Sequence, residues 1–323
     1  MTAPAITALA PWFGCNRAKA GRVGALLGDL AWCGVPFCGG CPELPDIRTQ
    51  AGVAADLHRH IITLATVIRD PDLCSRLRAK LDVLLFHDDV LAAAQYRLRH
   101  SEPSVEPLMF GDPPGFAYDD PVQHAADYFV AAWAGRGGHA GKKTELTQGL
   151  AARFTSSGGD SCKRFRSAID SLPAWSAALR RWTFQCRDAF DLLSDCVDDP
   201  SHGLYVDPPW PDAGDEYRHA FTPRQHRTLR DVLRSFVRCR IVVRYGDHPL
   251  IRDLYPRCDG WTWHETATRN QRNAEFAEAL ITRNIQSTGA AGSTVEPAAP
   301  QASEPPAVFS TPAECVSKIN GET

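Results

Sequence analysis

The chain has 323 residues, of which 44% are hydrophobic and 23% are charged, a composition typical of a globular protein with a large core. Its formal net charge of -3 excludes a protein that coats nucleic acid with its whole surface, although a local basic patch stays open. No apolar run reaches the roughly 18 residues of a membrane span, and the first residues lack the pattern of a secretory signal. We therefore expect a cytoplasmic protein without membrane contacts.

The cysteines indicate reduced thiols. Their number, eleven, is odd and their spacing is scattered, which argues against the disulfide framework of a secreted protein. Cys38 and Cys41 form the one close pair, and a structural zinc site normally needs a second pair at similar spacing. We therefore predict no metal site.

The first 99 residues alternate short apolar runs with helical patterns, which is typical of an α/β domain. A strand is predicted near Trp32, and a glycine loop follows it. The run 53–57 predicts a second strand, and the apolar spacing from Ile61 to Ile68 predicts the next helix. We assign residues 1–99 to the first part of one α/β domain.

The middle of the chain differs in composition. Prolines, glycines and acids dominate 101–121, so we predict a loop there. Glycines return between 135 and 159, where they are mixed with basic residues. We predict that residues 100–174 are an inserted region.

The α/β pattern resumes in residues 175–284, the predicted second part of the domain. Apolar runs predict strands at 183–187, 203–206 and 240–245, with helices at 175–182, 190–196 and 224–237. Strands and helices alternating at this spacing imply a parallel sheet. Residues 285–323 have almost no large apolar side chains, so we expect a disordered tail.

The motif Asp207-Pro208-Pro209-Trp210 follows a predicted strand, where α/β sheets bind ligands. Its two prolines fix φ and remove two N–H donors, so the turn offers only acceptors. An exocyclic amine could donate its two N–H groups to the Asp207 carboxylate and the Pro208 carbonyl. Its nitrogen lone pair would then face an electrophilic methyl group, while Trp210 stacks on the base. The pattern predicts transfer of a methyl group to an amine.

Candidate cofactor residues come earlier in the chain. The loop Pro36-Phe37-Cys38-Gly39-Gly40 follows the first strand, and its glycines would let a ligand approach the backbone. Asp56 ends the second strand, the position of a carboxylate that binds ribose hydroxyls. Asp188 follows a later strand and could accept from the adenine amine of a cofactor. The alternative for Asp56 is that it only caps the helix after Leu57.

A local excess of basic residues predicts where nucleic acid binds. Between Gly135 and Asp188 there are ten lysines and arginines but three acids, in a chain that is acidic overall. The alternative is a solvated helix face. The predicted nucleic-acid contacts are Arg136, Lys142, Lys143, Arg153, Lys163, Arg164 and Arg166.

These motifs and their order resemble the Dam-type DNA adenine-N6 methyltransferases, especially the phage and prophage branch, over roughly residues 5–284. The family's Pro-Trp-Phe-Gly-Gly-Lys stretch is matched by Pro11-Trp12-Phe13-Gly14, with Cys15-Asn16 after it. Its cofactor loop is matched by Pro36-Phe37-Cys38-Gly39, its Asn-Asp-Leu by Asp56-Leu57, and its catalytic Asp-Pro-Pro-Tyr by the motif at Asp207. Tyr217 and the segment 245–249 also fall where the family has similar residues.

The resemblance implies a Rossmann-like sheet that binds S-adenosylmethionine, with an inserted DNA-recognition region at 100–174. It implies that Trp12, Phe13, Gly14 and Asn16 help to hold the cofactor. The expected activity is site-specific methylation of N6 on an adenine flipped out of double-stranded DNA, with Tyr217 lining the base pocket. We expect a monomer. Cytosine-C5 chemistry is disfavoured, because it needs a cysteine nucleophile, usually after proline, and the chain has no Pro-Cys pair.

Two alternatives stay open. The same turn could serve adenine in RNA or N4 of cytosine, because each presents an exocyclic amine. The chain also departs from the family at three places: Val35 replaces an acid, Ala55 an asparagine and Asn16 a lysine. Since these residues surround the cofactor in the family, the protein could be a weakened or inactive DNA-binding relic.

Overall fold

The structure is a computed structural model, and it describes residues 8–14, 19–101, 118–136, 139–151, 160–212, 216–269 and 275–283. Asn16, Arg153 and the tail 285–323 therefore lie outside the described residues, and the predictions made for them stay predictions.

A seven-stranded mixed sheet forms the centre of the fold, in the order β3-β2-β1-β4-β5-β7-β6. The first five strands are parallel, whereas β7 runs antiparallel to both β5 and β6. The strands are β1 Leu30–Val35, β2 Thr49–Asp56, β3 Trp182–Cys186, β4 His202–Val206, β5 Arg240–Gly246, β6 Trp261–Arg269 and β7 Glu275–Arg283.

Helices cover the sheet. They are α1 Ala20–Leu27, α2 Arg59–Arg69, α3 Pro71–Asp82, α4 Asp88–His100, α5 Pro121–Ala134, α6 Ser161–Asp170, α7 Leu172–Leu179, α8 Ala189–Asp195, α9 Pro223–Ser235 and α10 Pro249–Leu254. None of the helices in the described ranges is long and apolar enough to cross a membrane.

The core has two parts because successive strand residues point to opposite faces of a sheet. In β5, Val242 belongs to a core cluster with helices α2, α3, α5 and α7, whereas Ile241 and Val243 belong to a cluster with α9 and the β6–β7 pair. Both faces of β4 and β5 are buried, which explains their nearly continuous apolar sequences. The fold is therefore α/β and is compatible with a Rossmann-like arrangement.

The order of the strands reverses between β1 and β4. The chain goes from β1 outward through β2 to β3, and then returns to pair β4 against the other edge of β1. Ligands of open α/β sheets bind outside the carboxyl ends of the strands at such a reversal. The loops after β1 and β4 are therefore the expected place for a ligand.

The predicted elements agree with the structure in kind, with small shifts of their ends. The helix expected after Leu57 begins at Arg59, and the helix expected up to Trp182 ends at Leu179, so that Trp182 starts β3. Sequence reasoning did not identify the β6–β7 pair. In the predicted insert, α5 is buried in the main core cluster, so this part of the chain extends the helical layer; the domain boundaries stay a prediction.

Candidate active site

A cavity open to solvent lies at the carboxyl ends of β1, β2 and β4 and contains about 900 Å³ of empty space. It gathers most of the predicted site residues, although they come from distant parts of the sequence. The predicted residues that line it are Trp12, Phe13, Gly14, Pro36, Phe37, Gly39, Asp56, Asp188, Asp207, Pro209 and Tyr217.

Asp207 follows β4 directly and is held by a buried arginine. Arg244, on β5, donates from Nη1 to Asp207 Oδ2 at 2.7 Å and from Nη2 to the Gly14 carbonyl at 2.9 Å. Burial raises the pKa of Asp207, and the neighbouring guanidinium opposes that rise. Arg244 therefore fixes the carboxylate in place and favours its ionised form.

One further acid, Glu278, and a lysine, Lys19, extend this ion network. Arg244 Nε donates to Glu278 Oε1 on β7 at 2.5 Å, and Lys19 Nζ lies 2.8 Å from Glu278 Oε2. The side chains of Arg244 and Glu278 are 3% and 0% exposed. The sequence carried one signal for Arg244, since a charged residue interrupts the apolar run of β5.

Trp210 and Pro208 do not line the cavity. Pro208 is buried, and Trp210 packs so closely on Gly246 that a Cβ there would lie 2.7 Å from the indole. The indole also hydrogen-bonds to the Asp207 carboxylate, and the Arg244 guanidinium lies 5.3 Å from its ring centroid. Trp210 thus supports the back of the Asp207 turn, and its stacking on a base stays a prediction.

Asp56 fastens the glycine loop to β2. Its Oδ2 accepts from Gly39 N and its Oδ1 from His58 N, both at 2.9 Å. The side chain that caps helix α2 is His58, so the alternative that Asp56 caps this helix is not what the structure shows. Asp56 reaches the cavity with its position fixed by two backbone donors.

Gly39 of this loop and Gly141 after α5 have a packing role that sequence reasoning missed. A Cβ on Gly39 would lie 2.8 Å from the Trp12 indole nitrogen, and a Cβ on Gly141 would lie 2.6 Å from the same ring. Both glycines also have positive φ, +44° and +83°. The Trp12 indole therefore occupies the space beside Gly39 where the sequence predicts a ligand, and it forms part of the cavity wall.

Asp188 lines another part of the cavity. Its carboxylate caps helix α8 by accepting from Phe190 N at 2.8 Å, and it also faces the cavity. Next to it, Phe221 packs edge-on against Phe37 at 5.5 Å between centroids and stacks with Phe190 at 6.0 Å. This part of the cavity combines an acceptor with flat aromatic surfaces, an environment that suits a purine ring.

The segment Trp12–Gly14 lines the cavity, and we call this part of the lining the rim. Phe13 N donates to Ala140 O at 3.0 Å, and the Tyr217 hydroxyl donates to Phe13 O at 2.9 Å. Lys142 Nζ lies 3.7 Å from the centroid of the Phe13 ring and forms an ion pair with Glu216. The amino-terminal motif and the predicted insert therefore meet at this rim.

A buried carboxylate, Glu145, joins the predicted insert to His58 after β2 and to Arg218. It accepts from His58 Nε2 at 2.6 Å, from Gly141 N at 2.8 Å and from Arg218 Nη1 at 3.3 Å. Burial opposes ionisation, but His58 and the Gly141 N–H lower the pKa of Glu145 overall. The sequence offered no signal for this contact, because its partners are 87 residues apart.

Beside it lies a buried histidine pair, His60 and His124. His60 Nδ1 and His124 Nε2 are 2.7 Å apart, and the two side chains are almost fully enclosed. Burial lowers the pKa of both to about 3, and the charge of His58 adds to the effect at His60 as that of His60 does at His124. The pair is neutral at physiological pH.

Glu43 is a further functional candidate that sequence reasoning missed. It faces the cavity, yet its residue is only 5% exposed, and its Oε1 accepts from the Tyr205 hydroxyl at 3.1 Å. The same hydroxyl lies 3.5 Å from Asp207 Oδ2. Burial and, after it, the charge of Asp207 raise the pKa of Glu43 to about 7.

The predicted nucleic-acid residues divide into two groups. Arg136, Lys143 and Lys163 are exposed. Arg166 is committed to the fold, because it donates to the carbonyl of Asp82 at 3.0 Å and that of Leu84 at 2.6 Å. Arg164 packs over Trp133 at 5.6 Å. The exposed group is the better candidate for phosphate contacts.

Cys38 and Cys41 are both buried as free thiols. The hydrogen bond between Cys38 and Cys41, together with burial, raises the pKa of Cys38 well above its ordinary value. This shift disfavours a metal-binding thiolate. Within the described ranges, no group of three or more potential ligands is arranged to hold a metal ion.

Comparison with protein-family models and with curated protein sequences gives no match for this chain.

Proposed function

We propose that the protein is an S-adenosylmethionine-dependent methyltransferase that acts on N6 of adenine in DNA. The observation that carries the proposal is the shared cavity. The acceptor turn at Asp207 and the candidate cofactor residues Gly39, Asp56 and Asp188 all line it, at the reversal of the strand order. This arrangement supports a reaction between a bound cofactor and an amine held at the Asp207 turn.

The charges of the cavity suit a cationic methyl donor. The formally charged acids and bases that line it in the described part of the chain are four carboxylic acids and one guanidinium, namely Glu43, Asp56, Asp188, Asp207 and Arg244. S-adenosylmethionine carries a sulfonium and an ammonium against one carboxylate, so its net charge complements this lining. A phosphate-bearing cofactor would instead meet repulsion, because phosphate sites offer basic side chains or free helix N-termini.

The sheet also differs from that of a dinucleotide-binding protein. The usual dinucleotide fold continues after its fifth strand with a parallel sixth. Here the antiparallel strand β7 pairs with β5 and separates it from β6. The second half of the sheet therefore does not repeat the first, which favours a cofactor with one nucleoside over one with two.

In the proposed reaction, bound S-adenosylmethionine supplies an electrophilic methyl group. Its ribose hydroxyls would donate to Asp56 and its adenine amine to Asp188, beside the Phe37 and Phe221 rings. The target amine would donate one N–H group to the Asp207 carboxylate. Its second acceptor, the carbonyl of the buried Pro208, stays a prediction, because Pro208 does not line the cavity. Arg244 orients Asp207 and favours its ionised form, so rate enhancement comes from positioning and electrostatics.

The DNA would approach the rim formed by Trp12–Gly14 and the loop around Lys143. Exposed Arg136, Lys143 and Lys163 would contact phosphates, and the target adenine would leave its stack to enter the cavity. Tyr217 lines the cavity at this rim, so its ring is available to the flipped base.

Transfer of labelled methyl groups from S-adenosylmethionine to mixed-sequence DNA tests the proposal. Asp207→Ala should abolish transfer while leaving cofactor and DNA binding largely intact, whereas Asp253→Ala removes an exposed carboxylate outside the cavity and should leave transfer unchanged. Full activity of the Asp207 variant, or no transfer by the wild type, would contradict the proposal. Nucleoside analysis of the product separates adenine N6 from cytosine N4, and RNA tested in parallel separates the two nucleic acids.

One observation favours the alternative of a DNA-binding relic. Val35 and Ala55 are 1% and 0% exposed, so apolar side chains fill buried positions where the resemblance leads one to expect an acid and an amide. Calorimetric titration separates the two possibilities. A protein that binds DNA but not S-adenosylmethionine would be the relic.

A further inference from the structure

Three hydrogen-bonding groups, Glu43, Tyr205 and Asp207, form a chain beside the cavity, and the proposed methyl transfer uses only Asp207. Tyr205 on β4 places its hydroxyl oxygen 3.1 Å from Glu43 Oε1 and 3.5 Å from Asp207 Oδ2. Tyr205 and Asp207 are two residues apart along the strand direction, so their side chains leave the sheet on the same face. The tyrosine thus connects the carboxylate at the reaction centre to a second, more deeply buried carboxylate.

A tyrosine hydroxyl has one proton and can donate it to one acceptor at a time. When Glu43 is ionised, Tyr205 donates to Glu43. When Glu43 is protonated, it can donate to Tyr205, and the tyrosine proton then turns toward Asp207. Moving between these two arrangements carries one proton along the chain, and no heavy atom has to move.

The proposed reaction generates a proton that must leave the amine. The nitrogen lone pair forms the new C–N bond as the C–S bond breaks with its electrons on sulfur, and the nitrogen then carries one proton too many. Asp207 is the nearest base, but Arg244 contacts it directly and opposes its protonation. Transfer of a proton from Asp207 to a second base is therefore favoured by the charge of Arg244.

Resting on the proposed function, we propose that Glu43 is the final acceptor of the proton that the target amine loses, and that Tyr205 conducts this proton to it from Asp207. The proton passes from nitrogen to Asp207, from Asp207 to the Tyr205 oxygen, and the tyrosine's own proton passes to Glu43. Asp207 and Tyr205 end as they began, and Glu43 ends neutral. The positive charge lost from sulfur matches the negative charge lost from Glu43.

The surroundings of Glu43 fit an acceptor that works near neutral pH. Tyr205 is the one side-chain partner of its carboxylate among the described residues, and the charged groups that face it are Asp207 and Arg244, with Glu278 and Lys19 behind the arginine. Burial and Asp207 raise the pKa of Glu43 to about 7, whereas Arg244 and the Tyr205 hydroxyl act in the opposite direction. A base of this strength can accept a proton and release it again at physiological pH.

The first test needs no activity. Infrared spectra of the protein without cofactor should show a carboxylic-acid C=O band that disappears as the pH rises through about 7, and this band should be absent in Glu43→Gln. In Tyr205→Phe the transition should move to higher pH, because the variant loses a hydrogen bond that stabilises the ionised form. Tyr255→Phe removes another buried tyrosine hydroxyl, in the other core cluster where Tyr255 packs against Tyr245 and Trp261, and should leave the transition unchanged. A band that survives in Glu43→Gln would overturn the assignment.

The second test is the pH profile of single-turnover methyl transfer. The wild-type rate should fall below pH about 7 as Glu43 becomes protonated. Glu43→Gln and Tyr205→Phe should both lower the rate at pH 8 at least tenfold and lose this dependence, with cofactor affinity and thermal stability near those of Tyr255→Phe. Wild-type activity with unchanged profiles in both variants would overturn the relay alone. A wild type that neither binds the cofactor nor transfers methyl groups would overturn the proposed function, and the relay with it.

Discussion

Replacing Arg244 with methionine tests whether the buried ion network organises the candidate site. The guanidinium contacts Asp207, Glu278 and the Gly14 carbonyl, and the residue is 2% exposed. Removing one partner of a buried pair costs about 3–5 kcal/mol. Since Lys19 still contacts Glu278 in the variant, the uncompensated charge falls mainly on Asp207. We therefore expect the lower end of the range, about 3 kcal/mol at pH 7.

Urea unfolding measures this loss. With an m-value of about 3 kcal/mol per molar urea, the midpoint should fall by about 1 M. The loss should be smaller at pH 5 than at pH 7, because without its guanidinium partner the buried Asp207 becomes protonated more readily, and neutralisation removes the penalty.

Arg252→Met is the matched control. Arg252 also contacts two carboxylates, Asp247 at 2.7 Å and Glu265 at 2.9 Å, but its side chain is 41% exposed. Exposed pairs contribute at most about 1 kcal/mol. If both methionine variants shift the midpoint equally, the reasoning about the buried network is refuted.

Three further predictions concern the cofactor residues, the histidine pair and the DNA surface. Asp56→Ala should weaken S-adenosylmethionine binding at least tenfold in calorimetry. Its control is Asp70→Ala, which also removes a carboxylate that accepts from two backbone N–H groups but lies outside the cavity. This control should lower the free energy of unfolding by about 1 kcal/mol without changing the affinity for the cofactor. Because burial lowers the pKa of both paired histidines to about 3, stability should fall as the pH drops below about 6.5, by roughly 2 kcal/mol per histidine at pH 5. His124→Gln should flatten this dependence in urea unfolding, and the same change at exposed His87 should not. Lys143→Glu should weaken DNA binding in fluorescence anisotropy and reduce the salt slope by about 0.9 if one phosphate contact is lost; an unchanged slope would exclude Lys143 from the interface.

The parts of the fold that could be predicted from the sequence are those with a local signal. Strands β1 to β5 appear as short apolar runs, and Asp207 could be placed at the end of one of them because its prolines mark a turn. The β6–β7 pair also had a signal, since Trp261 and Trp263 alternate with polar residues along an edge strand that is apolar on one face only. The pair was not predicted, because this alternation is a weaker signal than the continuous apolar runs of the buried strands.

The contacts that organise the site could not be predicted in this way. Arg244 meets Asp207 across 37 residues, and His58 meets Glu145 across 87. Such pairs depend on which strands become neighbours and on the face from which a side chain leaves the sheet. Local sequence patterns determine neither of these. The glycine loop shows the opposite error: the residue type was right for a close approach, but Trp12 makes that approach.

The apolar substitutions near the cofactor loop bear on activity through charge. Val35 is buried in β1, and a carboxylate in its place would require its own partner inside the protein. Glu43 brings a carboxylate to the same cavity from the following loop, and there Tyr205 supplies the partner. The cavity therefore keeps an acidic lining although one expected acid is missing. Burial still raises the pKa of this carboxylate despite the Tyr205 hydrogen bond, and a relic would gain nothing from a buried acid of this kind. The buried Glu43 therefore favours the proposed enzyme over the relic, and the affinity for S-adenosylmethionine decides between them.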